Sequence, residues 1–412
     1  MIFGSKGEVF DVAISGGGIA GSTLAGLLGL QGFNVCLVNA GSKPLWNPDQ
    51  YHPRVNAVNH ASIRIFRHLG VWEDIRSKRV NPYYQMKVWE SHTKGVIQFE
   101  AKEMRVPHLG AIVENTVLTS SLFDLLERQP NVSVIDNSRL KGVLVKDDNL
   151  DLHTDSGHQV QCRLLVGADG VDSISRSLSN IGLKEYISGQ QAIVAEVLAD
   201  SHDGHTAWQV FLPNGIVALL PLEKGKYSLV WSCHDEHCRT LMALDDVAFC
   251  EALTASFEER TGRITNAGKR YSFVLRQHQA ESYIADRVVL IGDSAHSILP
   301  LAGLGANMGL LDAASLSQVI GESRKRGRDI DSRTVLRRYE RWRKGENALV
   351  LNSMRGFKFL FGSRIQGSRV IGGAGLSLVN RLKPVKRMLA GFAMGDVGDL
   401  PLICSASRNA DI

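Results

Sequence analysis

The sequence predicts an α/β fold in which two portions of a parallel-sheet domain flank an inserted mixed β-sheet, with a helical region at the C-terminus. Three observations carry this. A strand–turn–helix–strand unit opens the chain, β-like runs dominate from about Leu183 to Leu275, and a fully apolar, parallel-type strand, "RVVLIGD" (Arg287 to Asp293), returns after them.

The opening unit is "VFDVAISGGGIAGSTLAGLLGLQGFNVCLVNA". Val9 to Ser15 is a short β-branched run, Ile19 to Gln31 has apolar residues at helical spacing closed by Gly32, and Val35 to Val38 is a buried strand. An irregular stretch with three prolines, "KPLWNPDQYHPRVNAVNHAS", precedes a helix over Ala61–Leu69. "YYQMKVWES" and "GVIQFEA" alternate as strands do, and "SSLFDLLERQ" (Ser120 to Gln129) reads as an amphipathic helix. "VLVKDDNLDLHT" predicts a hairpin turning at Asp147 to Asn149. In the β-rich middle, one helix, Asp246 to Glu258, interrupts runs such as "GIVALLPL" and "YSLVWSC". The last 70 or so residues read mainly as helix, rich in arginine and lysine.

Composition narrows the function classes. At 412 residues the chain is long enough for two domains around a substantial core. A net charge of +5 is too mild to imply a nucleic-acid partner. No apolar stretch of about 18 residues is present to span a membrane. The N-terminus lacks the basic, apolar and small-residue progression of a secretory signal, and the six cysteines are scattered as reduced thiols are. These features predict a soluble, cytoplasmic protein.

Three clusters carry chemistry. "GxGxxG" is Gly16, Gly18 and Gly21, between strand and helix. The first glycine makes the turn, the second admits a pyrophosphate, and the third allows close helix packing against the sheet. The helix N-terminus then turns free N–H groups and a positive dipole end toward phosphate. Alone the glycines are a weak signal; in this strand–turn–helix context they predict a Rossmann-like dinucleotide site. The second cluster, "LLVGADGVDSISR", places Asp169 after a strand. In the third, "RVVLIGDSAHSILPLAGLGANMGLLDA", a strand ends at Asp293, placed for a ribityl or ribose hydroxyl. A Pro/Gly-rich loop then feeds a helix beginning near Asn307, whose amides around Gly305 to Asn307 suit an anion.

With these motifs the chain resembles the class A flavoprotein aromatic hydroxylases, and within them the ubiquinone-biosynthesis branch. The similarity covers nearly the whole chain: "PRVNAVNHASIRIFRHLGVWEDI", "HLGAIVENTVL", "GADGVDSISR", "GDSAHSILPLAGLGANMGLLDA" and "LRRYERWRKGENALVLNSMRGFKFLF". "VENTVL" and "RRYER" point to the ubiquinone branch. The resemblance implies a glutathione-reductase-like FAD-binding domain of the parahydroxybenzoate-hydroxylase type, with an inserted substrate-binding sheet. Residues 1–75, 99–182 and 276–345 would form the FAD domain, 76–98 and 183–275 the substrate domain, and 346–412 the C-terminal helical region. It implies FAD held by Gly16, Gly18 and Gly21 at the pyrophosphate and by Asn39 at the adenosine ribose. Arg54 and Asp169 would lie near the cofactor, Asp293 at the ribityl chain or pyrophosphate, and Pro300, Gly303, Gly305, Ala306 and Asn307 at the isoalloxazine. It further implies NAD(P)H as electron donor and hydroxylation of a polyprenylated phenol through a C4a-hydroperoxyflavin. Since the cofactor carries the hard chemistry, no acid or base is singled out.

Three positions depart from the family. Asn39 stands where glutamate is usual, and Leu299 and Leu304 replace polar residues of the loop. An asparagine in place of a carboxylate forfeits on the order of 1–2 kcal/mol at a ribose hydroxyl. These departures leave a second reading in view, a degenerate or flavin-free scaffold of a quinone-biosynthesis assembly. "CHDEHC" (Cys233 to Cys238) packs four metal-ligand types into six residues, but no second ligand pair accompanies it, so it reads as a polar loop and no metal is expected. "ESRKRGRD" reads as a solvated helix end, and His296 as a buttress of the loop. "RLKPVKRMLAGFAMG" (Arg381 to Gly395) reads as a packed terminal helix, or as a peripheral contact with the inner membrane or a partner protein. Oligomeric state is left open.

Overall fold

Residues Val35 and Leu37 pack to one side of their strand and Cys36 and Val38 to the other, and all four are buried. A strand apolar on both faces needs cover on both sides, which the rest of the domain supplies. The computed structural model describes residues 9–91, 95–200, 204–298, 303–362 and 378–405. Its elements begin with β1 (Phe10–Ser15), α1 (Ile19–Leu30), β2 (Val35–Val38), β3 (Val55–Val58), α2 (His60–His68) and α3 (Trp72–Lys78). Then come β4 (Asn81–Tyr83), β5 (Gln85–Glu90), β6 (Val96–Glu100), α4 (Ala101–Met104), β7 (Gly110–Glu114) and α5 (Asn115–Leu126). They continue with β8 (Val132–Ile135), β9 (Leu140–Val145), β10 (Leu150–Thr154), β11 (Gln159–Gly167) and α6 (Ile174–Leu178). The middle of the chain supplies β12 (Leu183–Ala199), β13 (Thr206–Leu212), β14 (Gly215–Pro221), β15 (Lys226–His234), α7 (Asp235–Ala243) and α8 (Asp246–Ser256). The rest is β16 (Ile264–Ala267), β17 (Tyr271–Ala280), β18 (Ile284–Ala285), β19 (Val288–Leu290), β20 (His296–Ser297), α9 (Leu304–Lys325), α10 (Arg333–Gly362) and α11 (Lys383–Met394).

The first sheet runs β18-β19-β11-β1-β2-β8, parallel from β19 to β8, with the β9–β10 hairpin added through β11. Helices α1, α9 and α10 cover one face through Leu24, Leu28, Leu316, Ile320 and Tyr339. The hairpin covers the other through Leu140, Leu150 and Leu152. The second sheet has nine strands, ordered β20-β17-β12-β15-β14-β13-β5-β6 with β16 beside β12. Its one face is sealed by α7 and α8, where Trp231, Leu241, Phe249, Leu253 and Phe257 pack. A third, small sheet, β3-β7-β4, joins the two. Among the described residues no helix is long and apolar enough to cross a membrane.

Several expected bounds shift. "CHDEHC" is no loop: it spans the end of β15 and the first turn of α7. Asp235 and Glu236 sit in that first turn, where carboxylates suit the helix dipole, and Cys238 and Leu241 are buried three apart. Among the described residues no three side chains assemble a metal site. Helix α5 begins at Asn115, five residues before Ser120. Its Thr119 and Ser120 hydroxyls bond back to the carbonyls of Asn115 and Val117, so both are satisfied inside the helix. Helix α9 likewise begins at Leu304 rather than near Asn307.

Tyr339 of the "RRYER" stretch is fully buried, and its hydroxyl donates to the carbonyl oxygen of Leu290 at 2.9 Å, fastening α10 to the sheet edge. Tyr339→Phe strands that carbonyl and should destabilise the chain by about 1–3 kcal/mol, measured by urea unfolding of the full-length protein.

Candidate functional site

Parallel pairing sets Ser15 abreast of Val38 and Gly167, Val38 abreast of Ile135, and Gly167 abreast of Leu290. Five loops therefore leave the same C-terminal edge of the sheet, where ligands bind in open α/β sheets. The glycine turn is the tightest of them. Gly16 has φ +118°, and a Cβ there would overlap the carbonyl of Ala168. A Cβ on Gly21 would overlap the Gly16 carbonyl, and one on Gly17 would lie 2.6 Å from Asn39 Oδ1. Among the described residues a Cβ on Gly18 would meet nothing within 4 Å, at the start of α1. No acidic residue occupies the first turn of α1, so its positive end is left for a ligand.

Asn39, at the end of β2, is buried; its Nδ2 donates to Asp136 Oδ1 at 2.7 Å and to the Gly41 carbonyl at 2.8 Å. Asp169 is a junction. Its carboxylate accepts from Ser175 N–H at 2.8 Å, Ser175 Oγ at 2.9 Å, Ser294 Oγ at 3.0 Å and also from Ser173 Oγ. Arg176 donates to the carbonyls of Ser294 and Val171. Thus "GADGVDSISR" is bolted to "GDSAH", and Asp169 works through the loops it holds.

Asp293 is solvent-accessible yet crowded on all sides, as a side chain in a crevice is. That crowding raises its carboxyl above the usual range, against the opposing charges of His296 and Arg54. Arg54 lies with its guanidinium 5.0 Å from the Phe273 ring of β17. So the nine-stranded sheet reaches the same crevice. The imidazole of His278, also on β17, meets the Asp293 carbonyl at 2.9 Å, and burial lowers its pKa.

Helix α9 supplies the second N-terminus. Gly303 caps it at φ +63°, where a Cβ would press 2.7 Å from Ala57 Cβ. The Asn307 side chain donates to the carbonyls of Ala57 and Gly303 and accepts from Asn59 N–H and Ser62 Oγ. Among the described residues a Cβ on Gly305 would have only Ile298 near it, at 3.8 Å, and Gly303 to Ala306 are half-buried. The two helix N-termini converge: Ala20 of α1 sits 3.3 Å from where Cβ atoms on Gly292 and Gly309 would lie. Pro300 and Leu299 lie outside the described residues.

Sequence reasoning missed the group that holds this corner. Asp312 is fully buried and accepts from Gly292 N–H at 3.0 Å, Arg343 Nε at 2.9 Å and Asn347 Nδ2 at 3.1 Å, with His296 Nε2 at 2.5 Å. Burial alone would raise its pKa, yet His296 and Arg343 hold it down at about 2. The available signal was the single charged residue inside the apolar helical stretch "GLLDAA"; Arg343, in the highly charged "RWRKGEN", gave none.

The chain matches known proteins along nearly its whole length. Residues 9–348 match the family FAD_binding_3, an FAD binding domain. It is 32% identical to the 3-demethoxyubiquinol 3-hydroxylase of Escherichia coli (strain K12), over 93% of this chain and 98% of the relative. It is also 32% identical to the ubiquinone biosynthesis monooxygenase COQ6 of Drosophila melanogaster, over 94% of this chain and 90% of the relative. This chain belongs to the FAD-dependent ubiquinone-biosynthesis monooxygenases. Its fold is that of the p-nitrophenol 4-monooxygenase PnpA from Pseudomonas putida, with a TM-score of 0.77 at 18% identity over 94% of this chain and 98% of that one. The monooxygenase PieE, solved in complex with FAD and substrate, matches with a TM-score of 0.69 at 18% identity, over 95% of this chain and 73% of that one. The glycine cradle, the two helix N-termini and the accessible Asp293 fit the FAD of that family.

The Asp312 cluster generates a prediction. A carboxylate with a depressed folded pKa contributes stability that is present above its ordinary value of 3.8 and is lost as pH falls through about 2. Asp312→Asn should lack that acid-labile component between those two values, followed by circular dichroism. Arg343→Ala, which leaves the carboxylate with one cationic partner fewer, should destabilise at neutral pH by about 3–5 kcal/mol.

Proposed function

We propose that this monooxygenase hydroxylates the aromatic ring of a polyprenylated phenol or quinol in ubiquinone biosynthesis, using NAD(P)H and O2. The observation that carries the reading is the meeting of two glycine-lined helix N-termini, α1 and α9, at the sheet edge, with the Phe273 ring of the second sheet 5.0 Å from the Arg54 guanidinium. The name of the Escherichia coli relative, 3-demethoxyubiquinol 3-hydroxylase, supports the substrate class.

In this reading Gly16, Gly18 and Gly21 take the pyrophosphate on the N–H groups of α1, and Asp293 takes the ribityl chain or pyrophosphate. Arg54 lies beside the cofactor. Pro300, Gly303, Gly305, Ala306 and Asn307 border the isoalloxazine, where the free N–H groups starting α9 stabilise anionic charge. Bound flavin supplies the oxygen-activating chemistry. The chain's part is to hold the ring system against the sheet face bearing Ala192, Ile216, Phe273 and Leu275, and to keep water from it. Residues 1–75, 99–182 and 276–345 then serve the cofactor, and 76–98 and 183–275 the substrate, although the strands themselves extend to Glu100 and Ala280. Residues 346–412 form the C-terminal region.

A substrate carrying an isoprenoid chain resides in lipid, and α11 offers a surface for it. Leu382, Val385, Met388 and Phe392 are exposed on this helix and its preceding residue, beside the exposed cations Arg381, Lys383 and Arg387. Ala390 and Met394 pack its other side against Leu109 and Ala101. Peripheral docking of this face on the anionic inner membrane, with the protein otherwise in the cytoplasm, would let the substrate pass directly from lipid. Association with other ubiquinone-biosynthesis proteins belongs to the same proposal.

Two measurements test it. Purified protein should carry near-stoichiometric FAD, and a polyprenylated phenol should stimulate its NAD(P)H oxidation with formation of hydroxylated product; a chain that takes up no added FAD would return the scaffold reading. For docking, the protein should co-sediment with vesicles containing anionic lipid, and the M388D/F392D double variant should lose most of that binding while keeping its Tm.

A further inference from the structure

We infer that the acid serving the adenosine end of the cofactor in this chain is Asp136, one strand away from the usual place, with Asn39 as its positioning partner. The inference rests on the FAD reading above and concerns which side chain carries the negative charge there.

The register makes the shift sterically simple. Strands β1, β2 and β8 pair in parallel so that Ser15, Val38 and Ile135 lie abreast. The next residue on each strand, Gly16, Asn39 and Asp136, therefore leaves the sheet at one level. Backbone bonds fix the three exits together. Gly16 N–H donates to the Val38 carbonyl and Asn39 N–H to the Ile135 carbonyl, both at 2.8 Å. Ser138 N–H donates to the Asn39 carbonyl and Asn137 N–H to the Gly41 carbonyl, both at 2.9 Å. Asn137 adopts φ +52°, turning the chain directly after Asp136.

In folds of this topology a carboxylate after the second strand accepts the ribose hydroxyls. Asn39 carries no charge, but it is only 8% exposed and oriented on both sides. Its Nδ2 donates to Asp136 Oδ1 and the Gly41 carbonyl. Its Oδ1 faces the glycine turn, 2.6 Å from where a Cβ on Gly17 would sit. Asp136 is half-buried, and among the described residues no donor reaches its Oδ2. That oxygen is left for a hydroxyl or amino group of the adenosine. A glutamate at 39 would put a second carboxylate against Asp136, and two such charges in contact do not both ionise freely. Asn39 and Asp136 therefore form a matched set: one negative charge, moved one strand along and held there by the amide.

The test is a double-mutant cycle read by FAD affinity, from flavin fluorescence titration of the unloaded chain, and by the Tm of each unloaded variant. D136N should weaken FAD binding about tenfold with the unloaded Tm little changed. N39E with Asp136 in place should weaken binding as well and lower the unloaded Tm at neutral pH. The N39E/D136N double variant should recover both toward wild type. Wild-type binding together with an indifferent D136N overturns the assignment alone, as does an N39E that binds more tightly while Asp136 remains. A wild-type chain that takes up no FAD overturns the site reading and this assignment with it.

Discussion

The buried carboxylate of Asp312 is the constraint around which the corner between the two large sheets is built. A charge removed from water must be matched by donors on every side, and here the donors come from three separate segments. They are the backbone after β19, His296 on β20, and Arg343 with Asn347 on α10. Asp312 itself sits two turns into α9, so satisfying it fixes that helix against both sheets. The position of the α9 N-terminus, and hence of any ring system laid on it, follows from meeting this one charge.

The opposite wall depends on backbone closeness instead. Gly16 and Gly21 let α1 approach β1 and the Ala168 turn so tightly that no side chain fits between. Asp169 then ties that turn to Ser294. The two devices are complementary: glycines bring backbone N–H groups to a common point, and buried carboxylates hold the loops that bear them. Neither requires a flexible lid, so the binding edge is shaped before a ligand arrives, which lowers the ordering cost of binding.

Charge placement at this edge is economical. Asp169 and Asp312 are spent on internal donors, while Asp293 and Asp136 face accessible space. The carboxylates that looked alike in the sequence thus divide into two that build the site and two that are open to a ligand. The division follows from whether protein donors reach both oxygens of the carboxylate, as they do at Asp169 and Asp312.

The sequence by itself determined the local devices. A glycine spacing in a strand–turn–helix context, the alternation in β5 and β6 and the hairpin at Asp147 to Asn149 depend on neighbours a few residues apart, so they are legible in the sequence alone. So is the absence of a carboxylate at position 39. Helix α7 and the early start of α5 are not, because Cys238, Leu241, Val117 and Leu118 are buried against partners distant in the chain. Only the tertiary structure decided that Asn39 meets Asp136, 97 positions away, and that Asp312 meets Arg343 across two helices. Strand order and register set those meetings, and a one-dimensional pattern carries no information on which distant residue will lie one strand away.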